Sequence, residues 1–158
     1  MKQEFDSSVM EKAVDEAVRT SSQGIGGPFG AAIVRGDEVV VASNTVLESH
    51  DPTAHAEVNV IRKASEKFGT HDLFDCVLYA TSQPCPMCQS AIIWANIKKI
   101  YYGNTAKDTS KIGFRDDFMY TYFKEGAKDK SILDSERVHS ESCTNLLTSY
   151  ANENRELY

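Results

Sequence analysis

Pro84-Cys85-Pro86-Met87-Cys88, preceded by His55-Ala56-Glu57, decides how this chain is read. A neutral imidazole and two thiolates are ligand types that tetrahedral zinc accepts, and three protein ligands leave a fourth position open. An open position is what a hydrolytic zinc needs, because a water bound there reaches a pKa of roughly 7. Glu57 is then the natural proton carrier. Residues two apart on a regular helix do not face each other. His55 and Glu57 can therefore share a site only near a helix tip, and Asp51 as N-cap with Pro52 at the first helical position supplies one. Cys85 and Cys88, three apart, fall on one face at a second helix start marked by Pro84 and Pro86. The partial positive charge of a helix N-terminus lowers a thiol's pKa. The alternative is a structural zinc or a cysteine pair without metal. A closed structural site wants a fourth ligand, and Cys76, Cys143, His50, His71 and His139 form no second ligand-spaced pair. The combined spacing favours catalytic zinc.

Working outward, 158 residues suit one domain, 1–158, that buries about 70% of its unfolded surface. Hydrophobic residues make up 41%, as in ordinary globular proteins. No apolar run approaches the roughly 20 residues that span a bilayer, and Met1–Asp6 lacks a signal-peptide core. The expected setting is the cytoplasm, with no membrane partner. Of the four cysteines, Cys76 lies in an apolar strand-like run and Cys143 on a helix face, so both read as buried small hydrophobes. The net charge is −6, and the basic residues are interspersed with acids rather than gathered into a stripe. A protein that grips a nucleic-acid backbone usually shows such a stripe, so the charge speaks against a nucleic-acid partner.

Along the chain, Ser8 with Glu11 reads as a capping box for a helix to about Thr20. Gly24-Ile25-Gly26-Gly27-Pro28-Phe29-Gly30 lacks phosphate-loop spacing and reads as a tight turn letting backbone approach something closely. Phe29 is placed either to stack on a planar ring or to fill core. Ala31–Val34, a turn at Arg35-Gly36-Asp37 and Glu38–Ser43 form a hairpin. Asn44 ends it, and its amide can read a nucleobase edge as donor and acceptor. A helix from Pro52 or Thr53 fades near Phe68-Gly69. Cys76–Ala80 and Lys99–Tyr102 read as strands around the Cys85 helix, with parallel pairing expected in this half. Further on, Gly113–Tyr120 reads as a loop with a short helix, Ser131-Ile132-Leu133-Asp134 as a fifth strand, and the chain from Glu141 as a final helix.

The H-x-E and P-C-x-x-C stretches together resemble the zinc nucleobase deaminases of the cytidine-deaminase superfamily. The likeness extends over Gly26–Ala31, Asp51–Glu57, Pro84–Cys88, Gly113-Phe114 with Asp116, and the terminal Leu157-Tyr158. The metal stretches are shared across the superfamily. The glycine stretch, Asp116 and Tyr158 resemble the guanine deaminases of bacteria and the related plant guanosine deaminases. The resemblance implies a three-layer α/β/α sandwich with a five-stranded mixed sheet, zinc on His55, Cys85 and Cys88, and Glu57 as proton shuttle. It also implies a small-molecule nucleobase substrate, with a purine contact at Asn44, a second acid near the leaving amine at Asp116, and a pocket shaped by Phe29, Trp94 and Ala56. Homodimers in this family exchange C-terminal segments, which here means about residues 130–158, so Tyr158 would close the partner's site. One departure stands out: relatives typically carry Glu immediately before Pro-Cys-Pro-Met-Cys, and this chain has Gln83. Arg115 beside Asp116 sets up an Arg–Asp pair that would compete for the carboxylate.

The expectation is thus hydrolytic deamination of guanine to xanthine and ammonia. Alternatives are a deaminase of guanosine, cytosine, a pterin or tRNA adenosine and, outside catalysis, a structural zinc scaffold.

Overall fold

The computed structural model describes residues 4–158, which divide into two compact units, one running to Tyr120 and the other Thr121–Tyr158. Residues 1–3 lie outside the description, so the part of the Met1–Asp6 reading that falls on them does too.

The first unit is built on a four-stranded sheet of β1 (Gly30–Arg35), β2 (Glu38–Ser43), β3 (Val77–Ser82) and β4 (Lys99–Asn104), in the order β2-β1-β3-β4. β1 pairs antiparallel with β2 and with β3, while β3 and β4 run parallel. The hairpin turn falls at Arg35-Gly36-Asp37 as its sequence requires, with Gly36 at φ +59°.

Alternation along β1 explains the layers. Ala31 and Ile33 join one core cluster with Ala42, Val60, Leu78 and Ile92, whereas Ala32 and Val34 join another with Val9, Ala13 and Tyr79. The second cluster is closed by α1 (Ser7–Ser22), the first by α3 (Ala56–Phe68) and α4 (Pro86–Trp94). Because helices cover both faces, β1 is buried up to its last residue and β3 throughout, rather than alternating. Gly30 lets α1 lie close: a Cβ there would fall 2.8 Å from the Ala13 carbonyl carbon.

Several expectations are corrected. The helix anticipated from Pro52 begins at Ala56, with His55 as its N-cap. Asp51 instead folds a turn onto Thr53, its Oδ1 accepting from the backbone N–H (2.8 Å) and from Oγ1 (2.7 Å). The capping residue of α1 is Asp6, not Ser8. Two short helices, α2 (Val46–Ser49) and α5 (Ala106–Ser110), were not anticipated. The sheet has four strands among the described residues, not five.

The anticipated fifth strand lies in the second unit. Residues 130–132 form a turn there, with Asp129 Oδ1 accepting from the Ser131 N–H (2.9 Å) and hydroxyl (2.6 Å). That local closure leaves no extended run to pair. α6 (Asp117–Lys124) spans the division between units, and α7 (Glu141–Asn152) is capped by Ser140, whose hydroxyl accepts from Cys143 N–H at 3.3 Å. On this helix Leu146 is 70% exposed and Leu147 73%, and Cys143, expected to be a buried small hydrophobe, is exposed as well.

Candidate metal centre and its cavity

Two helix starts converge in the first unit. His55 and Cys85 are the N-caps of α3 and α4, both in extended conformation, and Cys88 lies in the first turn of α4. The cap position resolves the spacing problem. Because His55 is not yet helical, its side chain and that of Glu57 can serve one site. His55 Nδ1 lies 3.5 Å from Cys88 Sγ and 3.7 Å from Cys85 Sγ, and the three ligand atoms fall within 4.8 Å of one another. Zinc bonds of about 2.05 Å to nitrogen and 2.3 Å to sulfur put tetrahedral ligands about 3.6 Å apart. The donor set and spacing therefore fit zinc as they stand.

The charges around these atoms follow from the same geometry. Cys85 is held well below the usual thiol range, chiefly by a hydrogen bond with Cys88 and further by His55, against the opposing effect of burial. Cys88 is pushed up by that same bond, by burial and by the charge of Glu57. His55 is raised above the usual imidazole value by its contact with Cys85. Glu57 is buried, its Oε2 3.5 Å from Cys88 Sγ, and burial pushes its carboxyl up. A carboxyl raised in this way can hold a proton at a pH where an exposed one has lost it.

His55, Glu57 and Cys85 open onto a cavity of about 690 Å³ that Phe29, Asn44, Gln83 and Asp116 also line. Asn44 is buried and fixed: its Oδ1 accepts from the N–H of Gly27 (3.2 Å) and of Val46 (3.1 Å). Two facing donors settle which end of the amide is oxygen, and the nitrogen remains as a donor for a ligand. Asn44 thus offers one function, not the two its side chain could supply. Gly26 is where the glycine stretch makes its close approach. A Cβ there would fall 2.6 Å from the Asn44 carbonyl carbon and nearer still to two Asn44 oxygens.

Phe29 is half-buried and stands edge-on to Phe114, their centroids 4.9 Å apart at 89°. It lines the cavity and packs against the core. Asp116 has its carboxyl pushed up, mainly by partial burial. The anticipated Arg115–Asp116 pair does not form: Arg115 turns to Asp117, with Nε–Oδ1 3.2 Å and Nη2–Oδ2 3.0 Å. Gln83 Oε1 accepts from Ala106 N–H at 3.2 Å, so its amide braces the loop after β4.

Two anticipated residues, Trp94 and Ala56, do not line the cavity. Trp94 ends α4 with 73% exposure, and eight residues of helix, about 12 Å of rise, separate it from Pro86. Ala56 is fully buried with its side chain in the core. Tyr158 belongs to the second unit and is 88% exposed. Conversely, sequence reading gave no role to Tyr120. Its hydroxyl donates to Pro84 O (2.7 Å) and accepts from Gln89 Nε2 (2.8 Å), which also reaches Pro84 O (2.9 Å). This triangle braces the residue before Cys85. A tyrosine on an amphipathic helix carries no signal that distinguishes such a brace from core filling.

Residues 3–104 match the cytidine and deoxycytidylate deaminase zinc-binding region. The chain belongs to this deaminase family. Among relatives, a guanine deaminase of Bacillus subtilis is 43% identical over 124 residues, covering 78% of this chain and 80% of that one. The X-ray structure of guanine deaminase from Bacillus subtilis superposes with a TM-score of 0.91 at 36% identity, over 98% of this chain and 99% of that chain. A tRNA-specific adenosine deaminase of Haemophilus influenzae is 28% identical over 158 residues, 99% of this chain and 88% of that one. The deaminase family's zinc chemistry accounts for the ligand geometry, and no helix among the described residues is long and apolar enough to cross a membrane.

Proposed function

We propose that the protein is a zinc-dependent guanine deaminase, converting guanine and water to xanthine and ammonia. The observation that carries this reading is the convergence of three ligand atoms at zinc spacing and the buried carboxyl of Glu57 on one cavity. Its likeness to guanine deaminase over most of both chains supports the choice of base. Zinc, when bound, supplies the Lewis acidity that makes water a nucleophile near neutral pH.

The chain's own residues do the rest. Phe29 presents an aromatic ring to a planar substrate, and the Asn44 amide nitrogen donates to an acceptor on the purine. Glu57 takes a proton from the attacking water and passes it to a ring nitrogen. It then takes the second proton from the hydroxyl now on that carbon and delivers it to the amine, which leaves as ammonia as the C–N bond breaks and the carbonyl forms. Asp116, reached by the same cavity, accepts from the amino group before it leaves.

The reading includes a homodimer, supported by the largely exposed apolar side of α7, with Leu146 and Leu147, and by exposed Leu157 and Tyr158. The resemblance to segment-exchanging relatives supports seating of Tyr158 over the partner's cavity and of residues from about 130 onward on the partner. The four cysteines are free, which suits a cytoplasmic enzyme of purine metabolism.

The test is ammonia release from guanine, guanosine, adenine, cytosine and tRNA offered separately to the zinc protein. Release from guanine alone is expected. Release from guanosine alone, or from tRNA in a salt-sensitive manner, would replace the substrate while keeping the chemistry. Silence on all five would leave a structural zinc protein.

A further inference from the structure

Asn59 lies on α3 one turn beyond His55, its backbone N–H donating to His55 O at 2.9 Å. Its side-chain Nδ2 lies 2.9 Å from Ser43 O, 3.0 Å from Thr45 Oγ1 and 3.3 Å from Ala54 O. Ser43 and Thr45 are the residues on either side of Asn44, and Ala54 is the residue before the ligand His55. Ala54 O also accepts from Thr45 N–H at 3.0 Å. One amide group therefore joins the arm that carries Asn44 to the arm that carries the metal ligand.

Packing does not make this connection redundant. Asn44 and Val46 line the large cavity, while Ser43, Thr45 and Asn59 line a second cavity of about 340 Å³. The loop lies between the two cavities, with Ser43 and Asn44 buried in it. Directional hydrogen bonds fix the aim of a polar side chain there in a way that packing contact alone does not.

We propose that Asn59 is a positioning residue that sets the reach of the Asn44 amide relative to the metal site. It touches neither substrate nor metal and acts through Asn44. The inference rests on the reading of Asn44 as the purine contact, and the experiment separates the two.

Asn44→Ala, Asn59→Ala and the double variant are compared with the parent in the zinc-loaded form, using guanine turnover, zinc content and melting temperature. Losing a uniform binding contact raises KM and leaves kcat alone. Asn59→Ala is expected to raise KM about tenfold with kcat held within about threefold, the size of one neutral hydrogen bond. Zinc stays at one per chain. In the Asn44→Ala background the same change is expected to cost less than about twofold more, because the two act as one unit.

A second readout needs no substrate. The amides of Gly27 and Val46, which bond Asn44 Oδ1, are expected to exchange hydrogen about tenfold faster in Asn59→Ala. Unchanged exchange at both amides, an equal KM penalty in both backgrounds, or loss of zinc would each overturn the positioning role. Asn44→Ala with unaltered KM but faster exchange in Asn59→Ala would instead overturn the purine contact and spare the mechanical link. Should Asn59→Ala not fold, Asn59→Ser serves the same cycle, since its shorter hydroxyl cannot span the three oxygens.

Discussion

Gly26→Ala is the most exacting single substitution that the site offers. The added Cβ would sit 2.6 Å from the Asn44 carbonyl carbon and closer to both its carbonyl and side-chain oxygens. Ordinary contact needs about 3.4 Å or more between such atoms, so Asn44 must retreat by on the order of 1 Å. Asn44 Oδ1 is tied to Gly27 and Val46, and the retreat therefore moves the donor end out of register with a bound base. A misplacement of 1 Å at a positioned group costs about 100-fold in rate, equivalent to about 2.7 kcal/mol in kcat/KM for guanine. Overpacking also costs about 1–3 kcal/mol of stability, so a second glycine is needed to separate folding from function. Gly36 sits in the β1–β2 turn at φ +59° with nothing within 4 Å of an added Cβ. Gly36→Ala should lose about 1–2 kcal/mol of stability through its left-handed backbone yet keep full kcat/KM. Steady-state turnover, zinc content and thermal melting on the two variants decide the matter. Full activity in Gly26→Ala, or equal losses in both, would refute the claim that this glycine exists to seat Asn44.

The remaining expectations concern proton and thiol chemistry and the C-terminus. In zinc-stripped protein the folded chain holds the Glu57 proton more tightly than the unfolded chain does. Its stability is fullest below the ordinary glutamate value of about 4.3 and falls as pH rises through the raised folded value. Glu57→Gln should therefore melt higher than the stripped parent at neutral pH and lose that advantage in acid, while turnover falls by about 100-fold or more; a melting difference independent of pH would contradict the burial argument. In a Cys143→Ser background the stripped protein should be alkylated at Cys85 first. Cys76 should react well behind it, being buried with its thiol pushed up to about 11; peptide mass spectrometry showing Cys76 ahead of Cys85 would reverse this assignment. Removing Leu157 and Tyr158 should lower guanine turnover about tenfold or more if the tail completes a neighbour's site, and an unchanged rate would remove that part of the proposal.

The sequence disclosed the metal site more fully than the path of the chain. Imidazole, thiolate pair and carboxylate are fixed by chemistry at their spacing, so His55, Glu57, Cys85 and Cys88 could be found without coordinates. The helix boundary beside them could not, because Asp51 satisfies a turn as readily as a helix cap, and only the closure onto Thr53 distinguishes the two. The same ambiguity produced a fifth strand: Ser131–Leu133 is apolar enough to pair, but Asp129 folds it locally first. Arg115 has carboxylates at both following positions, and loop geometry rather than adjacency gives it to Asp117. Asn44 was legible as a polar group at a strand end, and its bond from Val46 is a local turn, but the bond from Gly27 that completes the loss of its acceptor is a long-range fact. Leu146, Leu147 and Cys143 follow a helical apolar pattern that names a face to be covered, and the pattern does not say by what.

The account stands most directly on one titration. Zinc is returned stepwise to the stripped protein while the conversion of guanine to xanthine is followed. Turnover should rise linearly and level off at one zinc per chain, with His55→Ala, Cys85→Ala and Cys88→Ala each failing to recover it. Turnover that is indifferent to zinc, or full zinc loading at these three residues without any xanthine, would contradict the central claim.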